Sequence, residues 1–150
     1  MRKTTYWLLW VIILCITFSG CIEGEDVRPE LAAEEVKIAV QGKWNIERIE
    51  SKLCRDSNCT TENYDGKATD YFEFKADSAF LVRLDSYNKS YSNAYKVNYN
   101  MYPGTIVLSS GSWIGRFEVK EIKASKMVLI NSFTGQDPKA IFTDSYYLYR

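Results

Sequence analysis

The sequence predicts an all-β fold: an eight-stranded antiparallel up-and-down barrel preceded by one short helix. Three observations carry this. From Gly42 onward, apolar residues recur with a period of two in eight separate segments. Turn-forming residues part most of these segments by only a few positions, at Asp77-Ser78, Pro103-Gly104, Ser110-Gly111 and Thr134-Gly135-Gln136-Asp137-Pro138. No segment between them has a helical period, which excludes parallel strands joined by crossover helices. Strands joined in sequence by short loops become antiparallel neighbours, and eight of them remove their free edges by closing on themselves. The 11 Tyr, 7 Phe and 4 Trp among 150 residues supply the core.

The elements follow in order. Residues 29–40 have the marks of a helix: Pro29 in the first turn, Glu30, Glu34 and Glu35 early and Lys37 late, with Leu31, Ile38 and Ala39 on one side. The first strand, near 43–50, sets Trp44, Ile46 and Arg48 against Lys43, Asn45 and Glu47. The second, near 69–76, turns Phe72 and Phe74 away from Glu73 and Lys75. The third, near 79–85, sets Phe80, Val82 and Leu84 against Leu81 and Arg83. In the fourth, near 91–99, Tyr91, Tyr95, Val97 and Tyr99 share a face. Ile106 and Leu108 mark the fifth, near 104–109, and Phe117 and Val119 the sixth, near 113–122. The last two, near 126–133 and 141–150, are apolar on both faces at 127–130 and aromatic at Tyr146, Tyr147 and Tyr149. The inward set is then Trp44, Ile46, Phe72, Phe74, Phe80, Val82, Leu84, Tyr95, Val97, Ile106, Leu108, Phe117 and Val119.

Ahead of the barrel stands a leader. Met1-Arg2-Lys3 is positive, residues 6–18 are an apolar run too short to span a bilayer comfortably, and Ser19-Gly20 leads into Cys21. The pattern resembles the lipobox of bacterial lipoproteins, with Phe18 where a branched aliphatic residue is more usual. It implies a signal peptide at 1–20 and lipid attachment at Cys21, against the alternative of an uncleaved anchor. Residue Ile22, which is not aspartate, favours the outer membrane under the sorting rules of such proteins. Cleavage would remove Arg2 and Lys3, leaving 17 basic and 19 acidic residues. Residues 22–35 carry six acids and one base, so 21–35 is expected to be an acidic tether. Glu23, Glu25 and Asp26 resemble a surface-export signal, and a solvated spacer held off the membrane by like charge is the equal alternative.

Four cysteines have three expected fates. Cys15 leaves with the leader, Cys21 takes the lipid, and Cys54 and Cys59 are expected to pair as a disulfide in an oxidising compartment. They lie in residues 51–68, a long connection expected to be an ordered loop covering one barrel end.

At Gly42-Lys43-Trp44 the sequence resembles a known family. A Gly-x-Trp opening the first strand after a short helix resembles lipocalins, and more closely the lipocalin-like domains of bacterial lipoproteins. The likeness continues through Tyr71-Phe72-Glu73-Phe74, Phe80, Tyr95-Lys96-Val97, Ile106-Val107-Leu108, Lys126-Met127-Val128-Leu129 and Tyr147-Leu148-Tyr149-Arg150. It departs at Ser78, where the family commonly has glycine. The resemblance implies that Trp44 plugs one barrel end with Arg150 packed over it. It also implies an apolar calyx.

The function classes narrow accordingly. With no histidine in the chain, His-based triads and His-containing zinc sites are excluded. The balance of 19 basic and 19 acidic residues gives no electrostatic footprint for nucleic acid. Asp70 and Glu73 are the only carboxylates flanked by aromatics, and on one strand they point to opposite faces. No enzyme, cofactor or metal is expected, and the barrel is expected to be a monomer. Two readings remain: a lipid-anchored barrel holding a small apolar ligand, with Tyr91, Tyr95 and Tyr99 near its mouth; or an interaction module with a packed lumen. The second would use loops and the Tyr/Asn-rich stretch containing Tyr87, Asn88, Asn93, Asn98, Asn100 and Tyr102 to meet a protein or glycan.

Overall fold

The computed structural model describes residues 33–85, 87, 89–99, 101 and 103–150. The leader, Cys21 and the acidic segment as far as residue 32 lie outside the described residues, as do Asn88, Asn100 and Tyr102. A short helix, α1 (Ala33–Val40), leads into nine strands: β1 (Gly42–Arg55), β2 (Asn58–Asp65), β3 (Tyr71–Phe74), β4 (Ser78–Leu84), β5 (Ser90–Asn98), β6 (Thr105–Ser110), β7 (Trp113–Ile122), β8 (Lys126–Thr134) and β9 (Ala140–Tyr149). Their order in the sheet is β2-β1-β3-β4-β5-β6-β7-β8-β9, all antiparallel, and β1 also pairs with β9. The eight expected strands therefore close into a barrel, as β1 and β3–β9, and β2 is a ninth strand outside that ring.

The ninth strand corrects the expected loop at 51–68. β1 continues to Arg55, turns at Asp56 (φ 52°) and returns as β2, with Cys54 directly across from Cys59. The two cysteines form a disulfide, their Cα atoms 4.1 Å apart. Asn58, Thr60, Thr61, Glu62 and Asn63 are polar on both faces, so hydrophobic alternation gives no sign of this strand. Backbone pairing and β-branched threonines make it one.

The upper half of β1 thus runs between β9 and β2, and its lower half between β9 and β3. A bulge between Ile46 and Arg48 separates the halves. It shifts the inward set from Ile46 to Ile49, which is 4% exposed, rather than to Arg48. Arg48 turns outward, its guanidinium 4.2 Å from the Tyr147 ring centroid. Where the chain leaves β2 it crosses this bulge closely: the Gly66 N–H donates to the Glu47 carbonyl (3.0 Å), and a Cβ on Gly66 would fall 1.8 Å from the Ile46 oxygen. Only glycine fits there.

One strand has the opposite face from the one expected. Directly paired residues share a face of an antiparallel sheet. Phe72 pairs with Leu81 and Phe74 with Ala79, so Ala79 and Leu81 point inward, at 0% and 6% exposure. Phe80, Val82 and Leu84 turn outward and are only partly buried. The β3–β4 turn, closed by Lys75 N–H to the Ser78 carbonyl (2.8 Å), sets this register. Ala-Phe-Leu-Val-Arg-Leu is apolar on both faces, so alternation alone cannot choose between them.

The lower end is sealed. Val36 and Val40, one helical turn apart, are fully buried over it, whereas Ile38 is 69% exposed, so the helix's apolar face is not the one containing Ile38. Trp44 is 0% exposed and donates its indole N–H to the Val40 carbonyl (2.8 Å). The Arg150 guanidinium lies 4.1 Å from the Trp44 ring centroid and donates to the carbonyls of Ala124 (2.9 Å) and Gln41 (3.1 Å).

Candidate functional site: the open end of the barrel

Cross-strand pairing sorts the interior into levels. Of the candidate lumen residues, Phe72, Phe74, Ile106, Leu108 and Phe117 are buried inside, and Tyr95, Val97 and Val119 face inward with partial burial. Sequence alternation missed Ile49, Ala79, Leu81, Met127, Leu129, Tyr146 and Leu148. The last four lie on strands apolar on both faces, where a period of two is invisible.

The lower and middle lumen is filled by rings. Phe72 stacks on Phe74 (centroids 4.5 Å apart) and meets Tyr146 (5.9 Å), Phe117 (6.2 Å) and Tyr95 (6.5 Å). Phe117 adds a contact with Tyr146 at 5.7 Å. Offset and edge-on contacts of this kind stabilise a packed core beyond area burial alone. Above them, Trp113 bends inward from the top of β7, 5.3 Å from Tyr95 and 6.5 Å from Phe117. Its indole occupies the space over Gly115, where a Cβ would come within 2.4 Å of the ring. Trp113 is 43% exposed and forms the roof of the packed region. A tryptophan two residues before an inward glycine was the available sequence signal for it.

Around this roof the inner face becomes polar. Arg83, on the same face of β4 as Leu81, pairs in register with Tyr91. Its guanidinium stands 5.7 Å from the Tyr91 ring centroid and 5.8 Å from that of Tyr64. On β5 the Asn93 amide donates to the hydroxyls of both Tyr91 and Tyr95, each at 2.9 Å. Asn131 on β8 and Tyr146 on β9 continue the ring, with Asp144 accepting from the Ser51 hydroxyl (2.7 Å). The tyrosines do not act alike. Tyr99, expected near the mouth, lies at the closed end, donating to the Lys75 carbonyl (2.9 Å) and accepting from Gln41 (3.2 Å). Burial there pushes its pKa up to about 12. Burial also raises the pKa of Tyr146 and of Tyr95.

Asp70 is a structural acid. It is fully buried, and its carboxylate accepts from the Lys67 N–H (2.8 Å), the Leu84 N–H (3.1 Å) and the Tyr64 hydroxyl. These bonds tie the ends of β2 and β4 together where β3 is too short to join them. Burial and the Asp70 carboxylate together raise the Tyr64 hydroxyl to about 12. Glu73 faces outward toward Lys75 (3.6 Å). Among the described residues no cluster of three Cys, Asp or Glu is placed to hold a metal ion. A depression of about 510 Å³ lies on the outer wall, beside Phe80, Ala94, Lys96 and the Ser109–Gly111 turn, where β5 rises past the short β6–β7 hairpin.

A crystal structure of a lipocalin-like protein from Bacteroides uniformis is similar at 12% identity, with a TM-score of 0.48, covering 75% of this chain and 98% of that one. No curated protein matches the chain. The sequence model of the lipocalin-like domain matches residues 40–129, from the end of α1 through the inward Leu129 of β8. That span takes in the Trp44 plug and most of the barrel wall, well over half of the sequence, and the chain belongs to the lipocalin-like domain family.

Proposed function

We propose that this protein is a lipid-anchored cell-envelope barrel that binds a small, largely apolar ligand at its open end. The observation that carries the binding reading is the contrast within the lumen. Its lower part is filled by interlocking rings, while its upper part presents ring faces beside polar side chains, of which Arg83 has no acid within ion-pair distance and Asn131 and Tyr146 no side-chain hydrogen bond among the described residues. Attachment at Cys21, a signal peptide at 1–20 and an outer-membrane location are supported by the order of positive start, apolar run, small pair and cysteine. The Cys54–Cys59 disulfide agrees with an oxidising compartment.

A second reading, a non-enzymatic interaction module, is favoured by the apolar rim: Ile114 is 71% exposed, Ile141 48% and Phe133 47%. Native mass spectrometry of the full chain purified from its host's membranes separates the two. A bound small molecule, on a chain that starts at Cys21 and carries acyl mass, is the expected result. A chain repeatedly recovered empty overturns the carrier reading in favour of the module, and a chain retaining residues 1–20 without acyl mass overturns the anchor.

A further inference from the structure

We infer that the open end recognises an anionic head group of carboxylate type, with Arg83 as the cation and the hydroxyls of Tyr91, Tyr95 and Tyr146 and the Asn131 amide as supporting donors. This rests on the ligand-binding reading and names the chemistry of its polar end.

Arg83 is a cation facing into the barrel with no acid within ion-pair distance among the described residues. Its neighbours are the faces of Tyr64 and Tyr91. Such a guanidinium keeps its planar fork of donors free for a carboxylate. Of the acids on the inner face, Asp70 is held by Tyr64, Lys67 and Leu84. Asp144, across from Asn131, accepts from Ser51 and has no cation within ion-pair distance among the described residues, so the head group is placed on the Arg83 side of the opening.

The second observation is independent of Arg83. Asn131 is 6% exposed, faces the lumen opposite Phe117 and Asp144, and has no side-chain hydrogen bond among the described residues. The Tyr146 hydroxyl likewise has none, although its ring is wedged between Phe72 and Phe117. The one buried side-chain donor or acceptor without a partner among the described residues is Arg48 Nε on the outer wall, so the unpaired atoms of Asn131 and Tyr146 are reached by solvent and are open to a ligand from the same side. The remaining donors arise from Asn93. Because its amide donates to the oxygens of Tyr91 and Tyr95, both hydroxyl protons remain available to donate. Tyr91 and Tyr95 share the Asn93 amide, Arg83 lies 5.7 Å from the Tyr91 ring centroid, and Tyr95 and Tyr146 both contact the Phe72 ring, which places the set around one space. Apolar surface on Trp113 and Phe117 borders it.

The test uses two probes of nearly the same shape, 4-fluorophenylacetate and 4-fluorophenylacetamide. They are titrated into the full chain in detergent micelles, followed by fluorine NMR with protein-free micelles as reference. The wild type is expected to bind the acid at least tenfold more tightly than the amide. Arg83→Met, which keeps the apolar stem, is expected to abolish that preference while leaving amide binding within threefold. Tyr146→Phe is expected to weaken the acid severalfold and leave the amide unchanged, and unaltered circular dichroism shows that each variant is folded. Equal binding of acid and amide, or a preference that survives Arg83→Met, overturns the anionic head group and leaves ligand binding standing. Saturable binding of neither probe overturns both.

Discussion

The two ends of this barrel are built from the same residue types and treated in opposite ways. Each end has an inward tryptophan, tyrosine and an arginine near an aromatic face. At the closed end every one of these is satisfied: the Trp44 indole by Val40, the Tyr99 hydroxyl by Lys75 and Gln41, and the Arg150 guanidinium by two carbonyls and the Trp44 face. At the open end Trp113 is partly exposed, and among the described residues the Tyr146 hydroxyl has no hydrogen bond and Arg83 has aromatic faces for neighbours but no acid within ion-pair distance. Residue identity therefore does not separate structural from ligand-facing positions here. Satisfaction does. Donors left unpaired within reach of solvent cost the fold little and stay available to a ligand; the one buried unpartnered side-chain atom among the described residues, Arg48 Nε, lies on the outer wall.

The comparison is broken most severely at the closed end. Trp44→Ala removes a fully buried ring, the hydrogen bond to Val40 and the surface on which Arg150 rests. A loss of about 3–5 kcal/mol is expected, measured as a lower urea midpoint, since a cavity bounded by β1, β3 and α1 cannot collapse. A loss below about 1 kcal/mol would show that the closed end is not held by its plug.

How much of this was legible in the sequence depends on what each strand does with its second face. β3, β5 and β7 are polar on the outside, so Phe72, Phe74, Tyr95, Val97 and Phe117 stood out by alternation. β4 and β8 are apolar on both faces, and there the turn, not the pattern, sets the register, so Phe80, Val82 and Leu84 were misplaced and Met127 and Leu129 passed unmarked. The bulge after Ile46 is a backbone event whose one local sign is Gly66, twenty residues later. The open end was least legible. Arg83 read as a solvated outward charge because the parity of β4 was inverted, and Asn131 carries no sequence mark of being buried. The polar half of the site had to wait for the register.

A middle effect belongs to the rim. Cys54→Ser with Cys59→Ser opens a hairpin whose strands are paired for eight residue pairs, in a segment almost wholly exposed. So short a closed loop restrains little of the unfolded chain, and a loss of about 2 kcal/mol is expected. Hydrogen exchange should rise in β2 and the tip of β1 while remaining unchanged at Trp44 and Val40, because β9 still pairs along β1 without β2. Faster exchange spreading to the closed end would mean that the two halves of the barrel unfold as one unit.

The smallest effect on stability sharpens the comparison most. Gly115→Ala places a Cβ within 2.4–2.6 Å of the Trp113 indole and 3.0 Å from Phe117. Phe117 is 3% exposed and cannot yield, whereas the outer edge of Trp113 can swing toward solvent. The methyl also reduces the freedom of the unfolded chain, which offsets part of the crowding, so the net change in stability is expected to stay within about 1 kcal/mol. The readout is local. With 5-fluorotryptophan incorporated, the Trp113 fluorine resonance should shift while that of Trp44 stays in place, and affinity for 4-fluorophenylacetate should change because the roof over the aromatic layer has moved. If Gly115→Ala instead destabilises the protein as much as Trp44→Ala, then Trp113 is as fixed as the plug. The open end would then be a second sealed end, with its unpartnered donors enclosed rather than presented.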